Sequence, residues 1–173
     1  MNLKDIIRNI PDFPKPGIVF RDITTLLKNP AAFRYVLDEL YQRLHSREIT
    51  AILGIEARGF ILASPLAFML NLPFIPVRKP GKLPAETVKQ SYDLEYGVDS
   101  IEIHRDALKS GDRVVIIDDL LATGGTAAAT IELVESCGAH VDSLAFVIEL
   151  SFLSGRKMLE GYEIISLVEY DSE

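Results

Sequence analysis

The densest chemistry in the chain lies in Val114-Val115-Ile116-Ile117-Asp118-Asp119-Leu120-Leu121-Ala122-Thr123-Gly124-Gly125-Thr126. The β-branched residues at 114–117 predict a buried strand, and Asp118 and Asp119 stand exposed where it ends. Ala122, Thr123, Gly124, Gly125 and Thr126 then read as a turn leading into a helix. Glycines let the backbone come close to a ligand, and the free amides at a helix start attract a phosphate. The hydroxyls of Thr123 and Thr126 add donors. Carboxylates repel a phosphate, so the two acids need a different partner, and sugar hydroxyls suit them. A phosphate and a ribose diol held close together describe a ribose 5-phosphate. The bland alternative is a strand, a glycine turn and a helix cap with solvated acids. Two acids and two threonines around paired glycines weigh against it. No Gly-x-Gly-x-x-Gly and no Gly-Lys-Ser/Thr occurs, which sets aside a dinucleotide fold and a triphosphate loop.

Elements on both sides must hold this stretch in place. Short apolar runs at 50–55, 74–77, 113–117, 143–148 and 164–168 predict strands buried on both faces. Helical patterns lie between them at 60–70 and 126–137, the second closed by Gly138. A further helix opens at Asn29-Pro30, a cap followed by a first-turn proline, with Phe33, Val36, Leu37, Leu40 and Leu44 on its apolar face. Buried strands alternating with helices make an α/β fold whose central, mostly parallel sheet is flanked by helices. Ligands of such sheets bind beyond the carboxyl ends of the strands. Three strand ends are polar: Glu56-Ala57-Arg58-Gly59, Arg78-Lys79 and Asp118-Asp119. Residues 11–17 are too proline-rich for a helix or a central strand. Residues 79–97 form a long polar insertion, readable as a surface hairpin or as an active-site lid.

Composition narrows the function classes. The 173 residues predict one domain, and 48% apolar with 25% charged residues excludes a disordered chain. A net charge of -7 argues against nucleic acid as a partner, so any anion site must be a local basic cluster. Cys137 is the only cysteine, and His45, His104 and His140 show no ligand spacing, so no residue is assigned to a metal. No signal-peptide pattern opens the chain, which makes the cytoplasm the expected location. The uncharged stretch 59–77 contains Asn71, Pro73 and Pro76 and reads as core helix and strand rather than a membrane span.

The 114–126 stretch resembles the phosphoribosyl pyrophosphate (PRPP) motif of type I phosphoribosyltransferases. The segments Asp12-Phe13-Pro14-Lys15-Pro16-Gly17-Ile18-Val19-Phe20-Arg21-Asp22-Ile23-Thr24, Gly54-Ile55-Glu56-Ala57-Arg58-Gly59-Phe60, Arg78-Lys79-Pro80-Gly81-Lys82-Leu83-Pro84 and Tyr92-Asp93-Leu94-Glu95-Tyr96-Gly97 resemble the adenine phosphoribosyltransferases within that family. The likeness runs through nearly the whole chain. Ala57 stands where many members carry Ser, and Pro80 where others carry a basic or small residue.

The resemblance implies a type I phosphoribosyltransferase fold over 1–173, with an N-terminal hood at 1–28 and a flexible lid at 79–97. It implies purine salvage, in which adenine and PRPP give AMP and pyrophosphate. Asp118 and Asp119 would hold the ribose, Ala122, Thr123, Gly124, Gly125 and Thr126 the 5-phosphate, and Arg58, Arg78 and Lys82 the pyrophosphate. Val19, Phe20, Arg21 and Leu150 would contact adenine, although Phe20 and Leu150 read almost equally well as core. Glu95 would be the acid/base at the purine, with Arg58 also catalytic and Tyr96 in the lid; read alone, Glu95 is a charge on a solvated hairpin. The resemblance further implies a cis peptide at Ala57-Arg58, Mg2+ carried mainly by PRPP, and a homodimer. Two alternatives are an enzyme for xanthine or guanine and a non-catalytic PRPP-binding regulator. The absence of a DNA-binding segment and the retained basic residues disfavour the regulator.

Overall fold

The computed structural model describes residues 1–93 and 98–172. In chain order its elements are β1 (Arg8–Ile10), β2 (Phe20–Asp22), α1 (Thr24–Lys28), α2 (Pro30–Leu44), β3 (Ala51–Ile55), α3 (Arg58–Leu70), β4 (Phe74–Val77), β5 (Thr87–Asp93), β6 (Val98–His104), β7 (Arg113–Leu121), α4 (Gly125–Ser136), β8 (His140–Leu150) and β9 (Glu163–Tyr170). Short 3₁₀ turns at Leu3–Asp5, Ser151–Leu153 and Gly155–Leu159 complete them. Among the described residues, β4-β3-β7-β8-β9 form a parallel sheet, while β1-β2 and β5-β6 are separate antiparallel pairs. No helix among these residues is long and apolar enough to cross a membrane.

Each face of the sheet carries its own core. Ile52, Val115, Ile117, Ala145 and Val147 face α2 and α3, while Leu53, Ile116, Leu144 and Phe146 face α4 and the β5-β6 pair. Helix α2 forms as its cap predicts, with the Asn29 side chain accepting from the amides of Ala31 and Ala32. Its stripe Val36, Leu37, Leu40 and Leu44 is buried.

Two expectations from the sequence need correcting here. Strand β7 does not stop at Ile117 but runs through both acids to Leu121, and β8 is likewise longer than 143–148. The cause is mutual pairing: Asp118, Leu120 and Leu121 keep their ladder with Phe146, Ile148 and Glu149, so a backbone partner overrides the polar side chains. Beyond residues 79–97, β6 pairs with β5 and buries Ile101 and Ile103 in the core.

Strand order sets where a ligand fits. From β3 the chain crosses to β4 on one side, whereas β7 leads to β8 and β9 on the other. The neighbours β3 and β7 therefore flank the point where the winding reverses, and a crevice opens beyond their carboxyl ends. Pairing between them ends at Gly54 and Ile117. The chain leaves the sheet at Glu56, and the polar end of β7 continues past it.

Candidate active site

The crevice holds a cavity of about 200 Å³ lined by Glu56, Arg58, Arg78, Lys79, Tyr92, Asp118 and Thr126, among others. Beside it, a smaller space is ringed by the backbone from Leu120 to Ala127. All three polar strand ends named from the sequence meet here. Lys82 stands exposed outside the lining, its carbonyl accepting from Arg78 at 3.1 Å.

The two adjacent acids are not equivalent, and neither is simply solvated. Successive side chains of a strand point to opposite faces. Asp119 is only 4% exposed, and its carboxylate accepts from Arg58 Nε at 2.7 Å. Asp118 faces the cavity and accepts the Asp119 amide at 2.9 Å. Burial, together with the neighbouring Asp119 charge, pushes the Asp118 carboxyl well above the ordinary carboxylate range. The acid that lines the cavity is thus the strained one, and the other anchors the start of α3.

The cationic side is wired through Glu56. Its carboxylate accepts from Arg78 at 2.8 Å and from the Lys79 amide at 2.9 Å. The Arg78 guanidinium holds the Glu56 carboxyl below its usual range. Arg58 remains 48% exposed after pairing with Asp119. The cis peptide falls at Glu56-Ala57, not at Ala57-Arg58. Glu56 still belongs to the ladder, donating its amide to Val77 at 2.8 Å, whereas Ala57 already has helix-like angles. The chain must reverse between those two residues.

The glycine turn is packed from below. Gly124 has φ +88, a conformation that L side chains rarely adopt, and it caps α4. A Cβ on Gly155 would lie 2.2 Å from the Ala122 carbonyl, and one on Gly59 would lie 2.6 Å from that of Ile117. The loop and the start of α3 therefore sit where they do because these two residues lack side chains. Gly155 is held in turn by a buried bond: Arg156 donates to Glu149 at 2.6 and 2.7 Å, and Ser166 adds a third donor. We expect Gly155→Ala to push the 122–126 loop out of place, costing about 1–3 kcal/mol of stability. It should raise KM for a phosphorylated ribose more than Gly161→Ala does, since Gly161 has open space around it and its φ of +94 makes that substitution a cost to stability without a push on the loop. Steady-state kinetics and a melting curve check both.

The N-terminal segment meets the crevice from the side. Phe20 packs edge-on against Phe13 with ring centroids 5.3 Å apart, and the Arg58 guanidinium lies 5.7 Å from the Phe20 ring. Strand β2 pairs only with β1 among the described residues, so its other edge has no strand beside it. Leu150, at the end of β8, is half-buried against the core.

Comparison with known proteins gives this geometry a family. Residues 22–165 match the model of the phosphoribosyl transferase domain. An adenine phosphoribosyltransferase of Synechococcus sp. is 60% identical over 171 residues, covering 99% of this chain and 100% of that one. The chain belongs to the adenine phosphoribosyltransferases. The crystal structure of the Thermoanaerobacter pseudethanolicus adenine phosphoribosyltransferase superposes with a TM-score of 0.94 at 57% identity, covering 97% of this chain and 98% of that one. The Saccharomyces cerevisiae adenine phosphoribosyltransferase, crystallised with an imino-altritol bisphosphate and adenine, gives 0.90 at 41%, covering 95% and 96%.

Against that family background, the crevice brings together Arg58, Arg78, Asp118 and the 122–126 loop. Glu95 and Tyr96 lie outside the described residues. Sequence reasoning missed Gly59, Gly155 and the Glu149–Arg156 pair, which shape the phosphoribosyltransferase loop without facing a ligand. Gly59 stood in the segment from Gly54 to Phe60 without a role of its own, and nothing local in the sequence marks Gly155 or the Glu149–Arg156 pair. It also missed Tyr92, whose hydroxyl accepts from Thr126 at 3.2 Å and donates to Asp99 at 3.2 Å. Lys79 binds both Tyr92 and Asp99.

Proposed function

We propose that this chain transfers the phosphoribosyl group of PRPP to N9 of adenine, releasing pyrophosphate and forming AMP for purine salvage. The observation that carries the reading is the crevice at the winding reversal, where an acid, a glycine turn and two arginines converge in a chain with near-full-length adenine phosphoribosyltransferase relatives.

The residues divide the work as follows. Amides of 122–126 and the hydroxyls of Thr123 and Thr126 take the 5-phosphate. Asp118 accepts from the ribose hydroxyls, and Asp119 acts on the same site mainly by fixing Arg58. As the C1–O bond breaks and the C1–N9 bond forms, charge develops on the departing pyrophosphate. Arg58, Arg78 and Lys82 stabilise it there. Val19, Phe20, Arg21 and Leu150 hold the base, and Glu95 takes the N9 proton with Tyr96 beside it.

Magnesium belongs to this reading as an ion carried by PRPP. Among the described residues no group of three His, Cys, Asp or Glu side chains could hold a metal, and Asp119 is already paired. That donor set fits an ion bound by substrate oxygens and water. Its contribution when bound is charge neutralisation at the diphosphate. Homodimerisation is supported by Ile61 and Phe68, which lie two turns apart on α3 and are 41% and 87% exposed. A cytoplasmic location fits the lone Cys137.

The direct test is pyrophosphate release with PRPP and each purine base in turn; release with guanine or xanthine in place of adenine would favour the alternative enzymes. Arg58→Ala and Lys82→Ala should each lower turnover, on the order of 10²–10³ for the better-placed charge, while weakening AMP binding far less, because AMP lacks pyrophosphate. Equal losses in both quantities would point instead to a collapsed pocket.

A further inference from the structure

Two buried polar atoms at the N-terminal hood have no hydrogen-bond partner among the described residues: Arg21 Nε and the Tyr170 hydroxyl. The Arg21 guanidinium lies 4.1 Å from the centroid of the Tyr170 ring. Its other nitrogens donate to Asn9 Oδ1 at 2.8 Å and to the Ser172 carbonyl at 3.2 Å. Tyr170 is 9% exposed and ends β9, where it is the register partner of Leu150. Ser151 holds its carbonyl at 3.1 Å. A tyrosine buried for its hydroxyl would have given that hydroxyl a partner. Here the ring face is what is used.

We infer that Tyr170 is a positioning residue for the purine base: its ring docks Arg21 and so fixes the distance between hood strand β2 and Leu150. This deepens the proposed function and rests on residues 19–21 and Leu150 holding adenine. The geometry is economical. Alternation along β2 sends Arg21 toward Tyr170 and Phe20 the other way, toward Arg58. The backbone between them is the edge that no strand covers. Because Tyr170 is also paired with Leu150, both walls of the base site are referred to one aromatic ring. Leu3, Ile7 and Ile23 anchor the flanks of the β1-β2 pair in the core, and the Arg21–Tyr170 contact holds the short strand between them. Without this dock the base would have to order that stretch of β2 on binding. That cost lowers apparent affinity in proportion to the fraction of hood already in place.

The test compares Tyr170→Phe with Tyr170→Leu in the full-length protein. Phe keeps the ring and drops an unpartnered hydroxyl, so KM for adenine should stay at the wild-type value. Leu keeps an apolar filler but removes the ring face, and KM for adenine should rise about ten-fold, the worth of one desolvated cation–aromatic contact. KM for PRPP should not move in either, since the loop at 122–126 is held from β7 and Gly155. Arg21→Met, which also gives up the bonds to Asn9 and Ser172, should raise KM for adenine at least as much as Tyr170→Leu, and the double variant should be no worse than Arg21→Met alone. Additive losses, equal behaviour of Phe and Leu, or a matching rise in KM for PRPP would overturn the assignment. Phe20→Ala separates this from the underlying reading. If it leaves KM for adenine unchanged, the hood does not hold the base and both readings fall. If it raises that KM while Tyr170→Leu does not, the positioning role alone fails.

Discussion

Asp118→Asn is expected to make the protein more stable and nearly inactive at once. The Asp118 carboxyl is held well above its ordinary value of 3.8 by burial and by the charge of Asp119. A raised folded value means that the native state holds a proton that the unfolded chain has lost. Stability therefore falls as pH climbs from the unfolded value through the folded one, and at neutral pH the ionised form is a cost. An amide removes that cost while still accepting the Asp119 N–H. Tm should rise at pH 7, by roughly 2–4 °C for each kcal/mol relieved, and the gain should vanish below about pH 4, where the unfolded carboxylate is itself protonated. Activity moves the other way: losing charged hydrogen bonds to the ribose should cost on the order of 10²–10³ in kcat/KM for PRPP. Asp119→Asn should instead lower Tm, because it weakens the tie between β7 and Arg58. The double variant should show no measurable turnover. A near-native PRPP dissociation constant in the double variant would refute the ribose assignment, and a lower Tm for Asp118→Asn would refute the electrostatic account.

The difference between these two acids marks how far the sequence could be read. That both belong at a strand end beside a glycine turn was legible, because β-branched residues and a Thr-Gly-Gly-Thr turn are local signals. Which of them faces the ligand was not, since this depends on β7 continuing along β8 and on α3 approaching within contact of Ile117. The same holds elsewhere. Asn29-Pro30 opened α2 as expected, and Phe74–Val77 is a strand with the anticipated bounds. Gly155 carried no signal in the sequence, because the Ala122 carbonyl it must clear is remote along the chain. Arg21 was readable as a hood residue through family resemblance, but its dock on Tyr170 spans nearly the whole chain. Local chemistry announces an element, while long-range contacts decide its orientation.

Base choice should show the largest effect: adenine is used, and hypoxanthine, guanine and xanthine are used barely or not at all. The bases differ at the 6-position. Adenine offers an amino donor and an unprotonated N1, whereas 6-oxopurines offer a carbonyl and an N1–H. The edge of β2 that no strand covers carries backbone N–H and C=O groups in alternation. Such an edge offers an acceptor to the amino group and a donor to N1. A 6-oxopurine would set acceptor against acceptor and donor against donor, leaving buried polar groups unpaired. Rescue from the opposite wall would need a donor near Leu150. Residues 145–150 contain no basic residue, and Arg156, the nearest cation in sequence, is bound to Glu149 through two nitrogens. Sites built to pair a polar edge support discrimination on the order of 10⁴–10⁵. The ratio of kcat/KM for adenine and hypoxanthine at one PRPP concentration measures it. Comparable values for the two bases in the wild-type protein would remove the adenine assignment and leave phosphoribosyl transfer standing.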